Sequence, residues 1–295
     1  MSQFLRAFHS ILILTAISLS AHAQLRMTRV DLGKETVSYY GAEFYQQLQR
    51  GASSDQIKDM LKNILRSNHQ HVDGKFDQIV ASCSGTGCYA HNPVGYDPAR
   101  VYLMGEINLV QTSSGYAVKE VYCQELYGPE RFSKVKPGPH LVPDNEVINI
   151  EHTWPQSRFT RKFPEDFQKS DMHHLFPSDS QMNSVRSSYP FGLVNHDTKN
   201  LKCKTVRIGN PAGSSTIVFE PPPQHRGNVA RALFYFAIRY DMVIDPPQEA
   251  FLRAWNQEDP VDKEEADRND KIYSLQGNRN PFIDHPELVN SISDF

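Results

Sequence analysis

Apolar residues at three- and four-residue spacing mark the clearest helices of this chain. Ile57, Leu61, Ile64 and Leu65 fall on one face of residues 53–66, and Ser53 with Gln56 supplies the capping-box pair that opens such a helix. Residues 42–50 predict another helix just before it. Farther on, Val229, Leu233, Phe236, Ala237 and Tyr240 predict a strong helix over 227–242, buried along one face. Residues 248–256 and 261–276 predict two more, with Gly277 as the C-cap of the last and Asn280-Pro281 as its exit.

The middle of the chain changes period. Residues 101–105, 106–111, 117–122 and 146–151 have strand-like composition, and Pro137, Pro139 and Pro143 break the pattern over 134–144. A short strand is expected around 171–176. Ser178 and Gln181 then form a second capping box, whose helix should stop near Pro190. Residues 206–220 predict further strands before Pro221-Pro222-Pro223, and residues 82–97, rich in Gly, Pro and Asn, predict a loop. Helices and short strands in this order, without a repeat or a long linker, indicate a mixed α+β fold in a single domain.

Residues 4–19 are apolar, interrupted by Arg6 and His9, and end on Ala21-His22-Ala23, a small-x-small cleavage site. This is the pattern of an export signal over residues 1–23, with the mature chain starting at Gln24 and no stable membrane association afterwards. A retained N-terminal anchor is the alternative. The roughly 270 residues that follow are ample for a core without staples. Four cysteines in an exported chain nevertheless favour disulfides, and of three pairings we favour Cys83 with Cys88 and Cys123 with Cys203.

Formal charge is -3 and does not advertise a polyanionic partner. Its distribution is more informative: residues 151–207 hold nine Lys/Arg against six Asp/Glu, Arg226, Arg231 and Arg239 stand in a stretch without acids, and residues 258–270 hold seven acids against two bases. A phosphate-binding face with an acidic far side would produce this pattern, although solvated surface is the commoner meaning of any charge run.

Candidate chemistry centres on adjacent Glu151 and His152. If they end a strand, their side chains point apart, so they suit different tasks: a carboxylate for a hard divalent cation, and an imidazole for taking a proton from water. The ordinary reading of the dipeptide is an exposed pair at a strand end. Asn183 and Arg186, three apart on the next predicted helix, can bring an amide oxygen and a guanidinium to one cleft. His173-His174 raises zinc, but a strand would turn the two apart and HExxH is absent, so His173 is read as a buried hydrogen-bonding residue.

Taken together, Asn149-x-Glu151-His152-x-x-Pro155-x-Ser157, Asp171-x-His173-x-Leu175, Asn183-x-x-Arg186 and Phe191-Gly192 resemble the endonuclease I family. Pro222-Pro223-x-x-Arg226-Gly227-x-x-Ala230-Arg231-Ala232 and Gly277-Asn278-x-Asn280-Pro281-Phe282 extend the resemblance, which runs roughly from Cys83 to Pro286 and leaves the region before about residue 80 poorly matched. The resemblance implies a ββα-metal (His-Me finger) core with additional helices, in a monomeric, secreted or periplasmic nuclease acting on DNA, with RNA as a second substrate, and leaving 5′-phosphate ends. It implies one Mg²⁺ held by Glu151 and Asn183, His152 as general base, and Arg158, Arg161 or Arg186 against the scissile phosphate. Asp171 and His173 would support the site, and Arg226 and Arg231 would contact nucleic acid. Three rivals stand beside it. A zinc hydrolase would contain stoichiometric zinc, a noncatalytic exported nucleic-acid-binding protein would retard DNA without cutting it, and a disulfide-bonded envelope scaffold would do neither.

Overall fold

The computed structural model describes residues 36–295. The export signal falls outside these residues. Among the described residues no helix is long and apolar enough to cross a membrane.

Two helices open the described chain, α1 (Gly41–Gln49) and α2 (Ser54–Arg66), the second closed at its start by the Ser53–Gln56 capping box as the sequence predicts. Three short strands follow, β1 (Asn68–Gln70), β2 (Gln78–Val80) and β3 (Cys88–Tyr89), in the antiparallel order β2-β1-β3. Cys83 bonds to Cys88 here, and Cys123 bonds to Cys203, so both favoured pairings form.

Next comes a departure from the sequence reading. Residues 101–105 are not a strand: α3 (Tyr96–Tyr102) runs into a π-helical stretch, Leu103–Ile107. Ala99, Leu103 and Met104 are fully buried at helical spacing, and that common face outweighs the strand preference of Val101 and Tyr102. The sheet β4-β5-β6 follows from β4 (Leu109–Thr112), β5 (Gly115–Lys119) and β6 (Leu126–Tyr127).

The part that positions the site begins at β7 (Ile148–His152). After a loop and α4 (Glu165–Ser170), β8 (Leu175–Asp179) returns antiparallel, with Glu151 opposite Phe176 and His152 opposite Leu175. Residues 171–174 do not belong to this strand. Asp171 accepts the backbone N–H of His173 and turns Met172–His174 into a 3₁₀ helix. Directly after β8 comes α5 (Ser180–Arg186), capped by Asp179 accepting from the Met182 N–H rather than by Ser178, and ending four residues before Pro190 because Ser187 leaves the helix at φ 52°.

A third small sheet, β11-β10-β9, uses β9 (His196–Asp197), β10 (Arg207–Asn210) and β11 (Val218–Glu220). The remaining elements are α6 (Arg226–Tyr240), α7 (Pro246–Glu258), α8 (Lys263–Gln276) and α9 (Pro281–Asp284), with Gly277 in the left-handed conformation at the end of α8. Helix α6 is buried on all sides, not one: only Arg226 and Asn228 of its residues escape burial. It forms the axis of the larger core, packed by α2, α7 and α9, while a smaller core joins α3 to the β7–β8 pair.

Candidate active site

Alternation along β7 sends Asn149 and Glu151 toward α5 and His152 toward α4 and α3. All three surround the end of the strand, where a cleft of about 390 Å³ is lined by Glu151, His152, Gln156, Ser157, Asn183 and Arg186 among others. The sequence-derived set Glu151, His152, Asn183 and Arg186 is thus one place in space.

Glu151 is almost fully buried, with Oε1 2.8 Å from Arg186 Nη1. Burial pushes its carboxyl up to about 7, against the pull of the Arg186 guanidinium and of Tyr122. Beyond the Arg186 ion pair, neither carboxylate oxygen has a hydrogen-bond partner of good geometry, and such under-satisfied oxygens fit a divalent cation. Asn183 fits the same demand: its Nδ2 donates to Asn149 Oδ1 at 2.8 Å and to the Ile150 carbonyl at 3.1 Å, which leaves Oδ1 free as an acceptor. Two hard oxygen donors of this kind suit Mg²⁺.

His152 is held differently. Its Nε2–H donates to the Lys169 carbonyl at 3.1 Å, so the lone pair sits on Nδ1, 3.3 Å from Gln156 Nε2 in the cleft. Tyr96, His174 and Phe159 enclose the ring. That burial, helped by His174, lowers its pKa to about 3, so the imidazole is neutral throughout the physiological range. Its neighbour His174 donates to the Gln168 carbonyl at 2.7 Å, so consecutive carbonyls of α4 orient both rings.

Arg186 donates to the carbonyls of His152 and Thr153, at 2.9 and 2.6 Å, besides facing Glu151. With its guanidinium so engaged and buried, it is a brace for the strand end rather than an open phosphate clamp. Arg158 is exposed and lines an adjoining pocket; Arg161 is exposed and lines neither. Asp171 accepts from Tyr235 and Tyr240 of α6, at 2.7 and 2.9 Å, and from Gln276, tying the end of α4 to the core. His173 is buried and donates to the Asn278 carbonyl at 3.0 Å, as a supporting residue should.

Two expectations fail. Arg231 is fully buried in a bidentate pair with Glu265, so it cannot meet nucleic acid, and one acid of the expected acidic far side is consumed inside. Arg226 is largely buried and paired with Glu220. Both are framework cations: Arg231 turns inward onto Glu265, and Arg226, at the first residue of α6, is held by Glu220. Among the described residues, the cluster Cys123, Asp179 and Cys203 has three potential metal ligands, but its sulfurs are bonded to each other and cannot take zinc. Residues absent from the sequence reading include Tyr96, Tyr122, Gln156 and Lys169. The last acts through its backbone carbonyl, which no residue type reveals.

Comparison with known proteins identifies the family. The family described as Endonuclease I matches residues 54–287, starting well before Cys83. An extracellular ribonuclease of Bacillus subtilis is 37% identical over 165 residues, covering 49% of this chain and 53% of that protein. An extracellular ribonuclease of Bacillus amyloliquefaciens is 36% identical over the same shares, and a periplasmic deoxyribonuclease of Aeromonas hydrophila is 33% identical over 155 residues, 49% of this chain and 61% of that one. The chain spans about half the length of the two ribonucleases it matches.

Proposed function

This chain belongs to the endonuclease I family, and from that premise we propose that it is an exported, Mg²⁺-dependent endonuclease that hydrolyses phosphodiester bonds in DNA and RNA without sequence preference. The observation that carries the reading is the shared cleft in which the bare carboxylate of Glu151 and the free amide oxygen of Asn183 stand beside a His152 whose proton is locked on the far nitrogen. The names of the relatives, extracellular ribonuclease and periplasmic deoxyribonuclease, support both substrate and destination, secreted or periplasmic. The order strand, loop, strand, helix from β7 to α5 supports a ββα-metal core.

Hydrolysis proceeds in line. Nδ1 of His152 takes a proton from water as the oxygen attacks phosphorus, and the bond to the 3′ oxygen breaks; that oxygen takes a proton from solvent to give a 3′ hydroxyl, and the phosphate stays on the 5′ side. The Lys169 carbonyl stabilises the imidazolium as it forms, because it already holds the Nε2–H. Gln156 Nε2 occupies the position from which that water would be polarised and gives way to it. Arg186 keeps the backbone of His152 and Thr153 fixed during the reaction. Glu151 and Asn183 would hold Mg²⁺, which would supply positive charge against the charge developing on the phosphate and leaving oxygen. Of the candidate arginines, Arg158 is exposed and lines the pocket adjoining the cleft, which supports it as the one that meets a substrate phosphate. Contacts of this sort position a strand without reading its bases.

Supercoiled plasmid and RNA incubated with the purified protein, with and without Mg²⁺, test the reading together. Cleavage of both that stops on adding EDTA is expected; EDTA-resistant cutting contradicts the Mg²⁺ mechanism, and retardation without shortening contradicts catalysis.

A further inference from the structure

Beside the catalytic cleft lies a second pocket of about 200 Å³, and Pro155 and Arg186 line both. A cavity of about 150 Å³ holds one benzene-sized ring, so this pocket suits a single planar ring system and not a stacked pair. Its walls include Leu233 and Ile244 from the core, and its rim carries Tyr189 and Val243. Val243 is 80% exposed and Tyr189 37%, an uncovered apolar edge next to a site otherwise built from polar groups.

Thr153 and Arg186 also line the pocket, with Thr153 Oγ1 and Arg186 Nε enclosed in its wall rather than open to it. The chain also bends sharply to build the rim: Ser187, lining the catalytic cleft, sits at φ 52° and ψ -124°, and this turn brings Tyr189 back beside the pocket. A non-glycine residue in that region of backbone space is strained, and such strain collects at functional sites.

Resting on the nuclease reading above, we propose that this pocket takes one unstacked base from the nucleotide adjoining the scissile phosphate. The site therefore prefers single-stranded or locally opened nucleic acid to continuous duplex, in which a paired and stacked base cannot enter. Tyr189 and Val243 pack on the face of the base, while the phosphate beside it lies in the cleft shared through Pro155 and Arg186.

The test is an end-labelled single strand carrying one stable abasic residue, with Mg²⁺, where the rate at every linkage is read on a sequencing gel against the unmodified strand. Wild-type protein should cut the linkage on one side of the abasic residue at least about five-fold more slowly than the same linkage with its base, the loss expected for one stacking contact. In Tyr189→Ala and Val243→Asp, each checked for folding by its melting curve, that ratio should fall toward one. The same sequence as a duplex should be cut more slowly than the single strand. Uniform cutting through the abasic residue, or equal rates on duplex and single strand, overturns the base pocket alone. A folded protein that cuts no nucleic acid overturns the nuclease reading with it.

Discussion

In the proposed mechanism Glu151 is the residue on which metal binding turns, since its buried oxygens have no hydrogen-bond partner beyond the Arg186 ion pair. Removing the whole side chain would strand the buried Arg186 cation, at a cost of about 3–5 kcal/mol, and confuse unfolding with lost metal. Glu151→Gln keeps the shape and removes the charge. It should weaken Mg²⁺ binding measured by calorimetry at least about ten-fold, and Asn183→Ala should do the same with partial recovery of cleavage at high Mg²⁺. Undiminished affinity in either variant contradicts the assignment. These residues were legible in the sequence because their chemistry resides in their side chains: a carboxylate beside an imidazole, and an amide on the next helix. The tautomer of His152 was not, because a backbone carbonyl sets it. Nor was the burial of Arg231, since a lone arginine in an apolar run reads the same whether its partner is phosphate or Glu265.

Among the elements, α4 has the most influence for its length. Its Gln168 side chain holds the loop at Thr160 and Phe163, while the carbonyls of Gln168 and Lys169 orient His174 and His152. Gln168→Ala should therefore lower kcat for a short oligonucleotide while leaving the Mg²⁺ Kd within a factor of about two, because the base loses its orientation and the ligands do not move. Loss of metal affinity instead would show that α4 supports the other half of the site. Periodicity revealed α2, α6, α7 and α8 because each has enough turns to display a face. It misread residues 101–105, where strand-like residues are overruled by burial from Ala99 to Met104, and 171–174, where one Asp side chain dictates a turn. It also gave α6 a single buried face, because nothing local announces that α2, α7 and α9 all pack around it.

At the scale of the whole molecule, burial of titratable groups makes stability depend on pH. Burial lowers the pKa of His91, His173 and His174 to about 4 and that of His225 to about 3, so each is neutral when folded and titrates near its ordinary value of 6.5 when unfolded. Their contribution is intact above pH 6.5 and is lost progressively as pH falls toward the folded values. Glu120 and Glu151, both raised to about 7 by burial, work in reverse: their contribution is present below their ordinary 4.5 and lost as pH rises through 7. The four histidines together with His152, lowered to about 3, outweigh the two acids, and the melting temperature should drop by at least about 5 °C between pH 7 and pH 5; a flat or rising profile contradicts their buried, neutral state. The overall α+β class and both disulfide pairings were legible from composition and order, whereas the two cores and the cleft between β7, α4 and α5 arise only when distant segments meet. In the proposed mechanism that cleft divides labour between a metal-holding pair and a proton-accepting histidine. Plasmid cleavage by His152→Ala at saturating Mg²⁺ tests the division most directly: the rate should fall by about 10²–10⁴ with Mg²⁺ binding and melting temperature retained, and a rate within a few-fold of wild type would contradict it.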